Sequence, residues 1–256
     1  MSYLNTVPLV WGFQHSPELW DLFDLRFALP SICAAQMASG EADIGILPVI
    51  ETARQALDYF PGTGIACHGA VRTILLISKV AFADIKTLAV DAGSRTSVML
   101  SRVILAERYG AEPRVFAHPA DLDTMLEQAD AALIIGDPAL HIDLEALPYL
   151  YLDLGAEWVN MTGLPMVFAV WSARKEFIRD DYAEAFRASC RYGLQHMDDI
   201  VSQESPIRNV SPELTRAYLT KHIVFELGDR DYEGMRRYLD LALRLDRTTV
   251  SGGVAV

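Results

Sequence analysis

Apolar residues along the chain fall alternately into short unbroken runs and into rhythms of three and four, and Gly, Pro or a capping side chain bounds most of them. The runs predict strands. Residues 42–47 (Ala-Asp-Ile-Gly-Ile-Leu) read as a buried strand stopped by Pro48, 71–78 as a long β run and 87–90 as a short one. Further strands are expected at 114–116, at 131–135 (Ala-Ala-Leu-Ile-Ile, ended by Gly136), at 149–154 and at 167–171. The rhythms predict helices. Leu29-Pro30-Ser31 opens one that Gly40 can close in the left-handed conformation. Leu100, Val103 and Ile104 share a face within 95–109, which Gly110 ends, and 121–127 suits a short helix capped by Asp121 or Asp123. From about Asp180 the rhythm stays helical through Phe186, Ser189, Gly193, Met197 and Ile200, and a last helix covers about 232–245. Ser16-Pro17-Glu18 and Ser211-Pro212-Glu213 both combine a capping hydroxyl, a first-turn Pro and an acid, so both predict helix starts.

Alternating strand and helix implies an α/β fold, with a mostly parallel sheet covered on both faces. The β runs at 71–78 and 167–171 bracket a compact α/β segment. Read as a two-strand hinge, they divide the chain into a first lobe of 1–79 plus 172–256 and a second of 80–171, with a ligand cleft between them.

Composition narrows the function. At 51% hydrophobic and 22% charged residues, the 256-residue chain can bury a core without a disulfide or metal staple. The net charge of −12 argues against a nucleic-acid partner, so any anion must be held by local donors rather than by the overall field. Cys33, Cys67 and Cys190 form no CxxC pair and read as reduced thiols of a cytoplasmic protein. No apolar run approaches the roughly 18 residues of a membrane span. The six histidines fit no HxxxH, HExxH or Cys-His zinc spacing, so no metal site is expected; GxGxxG and GxSxG are also missing.

Four segments carry candidate chemistry. Asp91-Ala92-Gly93-Ser94-Arg95-Thr96-Ser97 joins a strand to a helix, bringing first-turn N–H groups and three hydroxyls to one point where an anion can sit. In Gly136-Asp137-Pro138, Asp137 is expected to cap a helix at the C-terminal end of a strand, where open α/β sheets bind ligands. Gly69-Ala70-Val71-Arg72-Thr73 can present donors at the start of a β run, and Thr162-Gly163-Leu164-Pro165 is a turn that can line the cleft.

Taken in order, Ser2-Tyr3-Leu4-Asn5-Thr6 with Pro8-Leu9, Gly40-Glu41-Ala42-Asp43, Ser94-Arg95-Thr96-Ser97, Ile135-Gly136-Asp137, Asp153-Leu154-Gly155 with Trp158, and Thr162-Gly163-Leu164-Pro165 with Phe168 and Trp171 resemble chorismate dehydratases of the futalosine route to menaquinone. The resemblance spans residues 2–171; the helical C-terminal third agrees in pattern. It implies a two-lobed, periplasmic-binding-protein-like (type II) fold and loss of water from chorismate, a small carboxylate, to give 3-[(1-carboxyvinyl)oxy]benzoate without metal or organic cofactor. It further implies that Asn5 is the catalytic polar group, that Thr96 and Ser97 clamp a carboxylate, and that Thr73 takes the place of a small hydroxyl residue. Tyr3, Ser94, Gly136, Asp137 and Thr162 complete the substrate-binding set. Family members carry a further strand ahead of the Ser-Tyr-Leu-Asn motif, so Asn5 is expected here on a frayed end, with the first lobe short of a central strand. Two alternatives are a solute-binding protein for a small carboxylate and the sister enzyme that releases dihydroxynaphthoate, which is expected to use a cleft His.

Overall fold

The structure, a computed structural model, describes residues 3–91, 93 and 95–246 and the helical backbone of 247–251. A 3-10 turn at Leu4–Thr6 leads into α1 (Val7–His15), followed by α2 (Pro30–Ser39), β1 (Ile44–Pro48), α3 (Val49–Arg54), β2 (Asp58–Cys67), β3 (Ile74–Ser78) and β4 (Thr87–Val90). Then come α4 (Arg95–Ile104, prolonged by a π turn to Tyr109), β5 (Arg114–Ala117), α5 (Leu122–Gln128), β6 (Ala131–Ile135), α6 (Asp137–Leu140), β7 (Leu150–Asp153), α7 (Leu154–Thr162) and β8 (Met166–Ala173). The chain ends in α8 (Asp180–Gln195), α9 (Met197–Arg208), α10 (Pro212–Ala217), β9 (Val224–Glu226) and α11 (Asp229–Ser251).

Two sheets form, a four-stranded one in the order β1-β8-β2-β9 and a five-stranded one in the order β5-β4-β6-β3-β7. In β3, Leu76 packs into the large core shared with α4 and α11, whereas Leu75 and Ile77 face a second core under α5. Both faces are therefore buried, as the apolar runs imply. The pairing direction differs from expectation: among the described strands, parallel pairing is confined to β4 with β5 and β6. Two-sided burial fixes composition, not direction. β3 and β8 each enter their sheet from the other side of the molecule, and both pair antiparallel.

The same pairing corrects the expected lobe boundary. β3 belongs wholly to the five-stranded sheet and β8 wholly to the four-stranded sheet, so neither β run is itself the crossing. The chain crosses at 68–73 and again at 154–165. Asp153 fastens the two crossings together: its carboxylate accepts the N–H groups of Val71 (2.9 Å) and Arg72 (2.6 Å) from one, and those of Gly155 (3.0 Å) and Ala156 (3.1 Å), as the cap of α7, from the other. The crossings lie so close that a Cβ on Gly155 would stand 2.6 Å from Cys67 Sγ and 2.7 Å from Gly69 O.

Asn5 is not on a frayed end. Leu4 and Thr6 on either side of it are buried, and α1 rests on α8, where buried Ser189 accepts Phe13 N–H (3.2 Å) and donates to Leu9 O (2.9 Å). Among the described residues no strand precedes β1 in the four-stranded sheet; a cavity of about 300 Å³ lies between β1, the loop residues 24–27 and Trp171. Ser16-Pro17-Glu18 forms turns, not a helix start, with Asp21 at φ 64°. All three cysteines are free thiols, and burial pushes Cys190 up to about 12.

Candidate active site

Where the two sheets face each other, Tyr3, Asn5, Thr73, Ser97 and Gly136 line one cavity of about 50 Å³ on an apolar bed that includes Ile65, Ile135 and Phe168. These residues come from four places in the fold. Tyr3 and Asn5 lie at the turn before α1, Thr73 ends the first crossing, Ser97 is in the first turn of α4, and Gly136 follows β6. That volume is below the roughly 300 Å³ at which small-molecule clefts usually begin.

Gly136 is fixed by geometry. Its backbone sits at φ 73°, ψ −150°, a region essentially restricted to Gly, and an added Cβ would stand 2.7 Å from the Tyr3 ring. Its N–H donates to Thr73 O at 2.8 Å. Gly136→Ala is therefore expected to displace Tyr3, lowering stability by about 2–3 kcal/mol and abolishing ligand binding, as calorimetry and a thermal melt would show.

Asn5 and Thr73 meet the fully buried Tyr218. Thr73 Oγ1 lies 3.0 Å from the Tyr218 hydroxyl, and Asn5 stands beside that hydroxyl, where both side chains favour its ionised form without offsetting its burial. Burial holds Tyr218 neutral well above the ordinary tyrosine range. Asn5 Oδ1 is then left buried with no partner among the described residues. An unsatisfied buried acceptor costs about 1–3 kcal/mol, which a ligand hydroxyl can relieve. Tyr3 is the only titratable side chain among the described residues that line the cavity. Burial, followed by the charges of Asp91 and Asp137, pushes it up to about 12, so it serves as a neutral donor.

The remaining sequence-derived residues are placed elsewhere. Ser94 lies outside the described residues. Thr96 is 1% exposed and is not among the lining residues; its carbonyl accepts the Tyr238 hydroxyl (3.1 Å), and its Oγ1 has no partner among the described residues. Thr162 serves its own turn, donating to Trp158 O (2.8 Å) and accepting Leu164 N–H (3.1 Å). Asp137 does not cap α6: its Oδ1 accepts Leu4 N–H (3.1 Å) and its Oδ2 pairs with Arg208. Arg72 turns from the cleft and donates to Ala139 O (2.8 Å) and Ile142 O (2.7 Å) at the end of α6. Sequence reasoning missed Tyr218, Arg208 and the role of Asp153, which act through contacts 145, 71 and 82 positions distant, and no local motif marks those. Among the described residues, no group of three or more His, Cys, Asp or Glu is placed to hold a metal, and no helix is long and apolar enough to cross a membrane.

Two α/β lobes joined by two crossings and closed over a polar pocket define a periplasmic-binding-protein-like fold. The periplasmic aliphatic sulphonate binding protein SsuA of Escherichia coli shares it with a TM-score of 0.63 and 14% identity, over 95% of this chain and 83% of that one. Protein AF1704 of Archaeoglobus fulgidus does so with a TM-score of 0.74 and 15% identity, over 95% of each chain. The chain belongs to the family described as Menaquinone biosynthesis, which it matches over residues 1–244. A chorismate dehydratase of Thermus thermophilus is 27% identical over 256 residues, covering 93% of this chain and 92% of its own.

Proposed function

We propose that the protein is a hydro-lyase of menaquinone biosynthesis that converts chorismate to 3-[(1-carboxyvinyl)oxy]benzoate and water in the cytoplasm. The observation that carries this reading is the unpartnered Asn5 Oδ1 in a cavity that also holds Ser97, at the first turn of α4. The family match and the chorismate dehydratase relative support it.

Chorismate carries a ring carboxylate, an enolpyruvyl carboxylate and a hydroxyl on the carbon beside the ether. Losing that hydroxyl together with the hydrogen on the ether-bearing carbon makes the ring aromatic. The step is redox-neutral and downhill, so the protein has to position the substrate and stabilise charge. In this reading the Ser97 hydroxyl and the N–H groups opening α4 hold the ring carboxylate, through which the departing hydrogen is acidified. Asn5 Oδ1 orients the leaving hydroxyl, and the Tyr3 hydroxyl donates into the same space. The paired Thr73 and Tyr218 hydroxyls stand behind the Asn5 side chain.

The base is the substrate's own enolpyruvyl carboxylate. It takes the ring proton, the carbon–oxygen bond to the hydroxyl breaks, and the proton leaves with that hydroxyl as water. Tyr3, held near 12, is too weakly acidic to act as an anionic base near neutrality, and Asp137 is engaged with Leu4 and Arg208. Asp137→Asn keeps an oxygen for Leu4 N–H and should retain turnover within about tenfold of wild type by initial-rate assay. An inactive variant that still folds, binds and keeps Leu4 N–H as protected as in wild type would make Asp137 the base.

No His is among the described residues lining the cavity, which separates this reading from the sister enzyme. Mixing the purified protein with chorismate tests it. The aromatic ether should accumulate, read by ultraviolet absorbance or mass, with the loss of one water per substrate. Binding without any change in mass would indicate a solute-binding protein.

A further inference from the structure

Asp137 stands one residue beyond cavity-lining Gly136, in the lobe built on the five-stranded sheet, yet its carboxylate is spent on the other lobe. Oδ1 accepts Leu4 N–H at 3.1 Å, and Oδ2 pairs with Arg208 Nη1 at the end of α9. Arg208 is braced from behind by Glu204, whose Oε2 accepts its Nε and Nη2 at 2.9 Å each. The three side chains are only 17%, 17% and 15% exposed. Leu4 is fully buried, and its N–H opens a helical turn in which no earlier helical carbonyl can accept it. The residue that follows it is Asn5.

We propose that Asp137 and Arg208 form an interlobe latch whose product is the position of Asn5. When the lobes meet, Arg208 orients the Asp137 carboxylate so that its other oxygen seizes Leu4 N–H, and the turn carrying Asn5 is drawn into register with Gly136 and Ser97. When the lobes part, both charges return to water and the Asn5 turn is released. Asp137 and Arg208 are thus positioning residues: Asp137 holds Asn5's backbone neighbour, and Arg208 holds Asp137. This role rests on the reading that Asn5 acts on chorismate, but the latch itself can be tested without chorismate.

The pair is partly desolvated, so removing one partner strands the other. Arg208→Met and Asp137→Ala are each expected to lower kcat by at least about tenfold while KM moves by less than about threefold, because the missing interaction misplaces a reacting group and does not remove a substrate contact. Arg208→Lys should recover part of the loss, since Lys supplies the charge but not the fork that reaches Asp137 and Glu204 together. In the double variant the two costs should not multiply, since the second change removes nothing further. In the unliganded wild type, amide hydrogen exchange at Leu4 and Asn5 should be slow, and it should accelerate in Asp137→Ala and Arg208→Met but much less in Asp137→Asn. Should Arg208→Met fail to fold, Arg208→Lys and the exchange of Asp137→Asn against Asp137→Ala give the same comparison. Wild-type kcat in Arg208→Met, or unchanged Leu4 exchange in Asp137→Ala, would overturn the latch. If wild type leaves chorismate unconverted while Leu4 exchange responds to both variants, the latch stands and the assigned reaction falls.

Discussion

Asn5→Ala is expected to lower chorismate turnover by at least about a hundredfold while shifting stability by no more than about 1 kcal/mol. The two effects separate because of how Asn5 is bonded. Its side chain stands beside the Tyr218 hydroxyl, and its Oδ1 is buried without a partner among the described residues. Deleting an unsatisfied acceptor relieves a desolvation cost, which offsets the lost contact to Tyr218. The chemistry has no such compensation, since Oδ1 orients the leaving hydroxyl in this mechanism. Asn5→Asp tests the same atom by charge: a carboxylate beside a site for two carboxylates should raise KM strongly. If Asn5→Ala instead unfolds the protein, or turns over chorismate at a wild-type rate, Asn5 is structural.

Asp153→Ala should be the most destabilising single change at the junction of the lobes, costing about 3–5 kcal/mol and lowering Tm by roughly 10 °C. One carboxylate satisfies four backbone N–H groups drawn from both crossings, and those groups have no alternative acceptor in the structure described. Arg72 sits at φ 67°, a strained value for a non-glycine residue, and it stays there because Asp153 holds its N–H while the carbonyls of Ala139 and Ile142 hold its guanidinium. Asp153→Asn keeps one acceptor oxygen and should lose less. A thermal transition of Asp153→Ala at the wild-type temperature would show that the crossings hold each other by packing alone.

Elements that carry their own signal were legible. β4 and β6 lie where their apolar runs place them, α2 starts at Pro30 and ends at left-handed Gly40, and Ser211 caps α10 by accepting Leu214 N–H. α1 was not, because Pro8 through Phe13 are all buried and a helix covered all round shows no rhythm. β2 was hidden by Pro61, Gly62 and Gly64, which break its run at the irregular pairing between Tyr59 and Gly64. Ser16-Pro17-Glu18 is followed by Leu19, Leu22 and Phe23 at helical spacing, yet the chain turns with Asp21 in the left-handed region and Trp20 and Leu22 exposed, so the start signal begins no helix. In the site, Tyr3, Asn5, Thr73, Ser97 and Gly136 were nameable by motif and share one cavity. The resemblance implies a carboxylate clamp of Thr96 and Ser97; successive residues of a helix point about 100° apart, and of the two it is Ser97 that lines the cavity.

The most direct test of the account is the structure of the protein with 3-[(1-carboxyvinyl)oxy]benzoate bound. The expected complex has the lobes closed on the product, its ring carboxylate within hydrogen-bond distance of Ser97 and the N–H groups that open α4, and Asn5 opposite, beside the ring carbon that lost the hydroxyl. A product molecule seated with neither carboxylate at that helix end, or bound outside the space between Asn5 and Gly136, would contradict it.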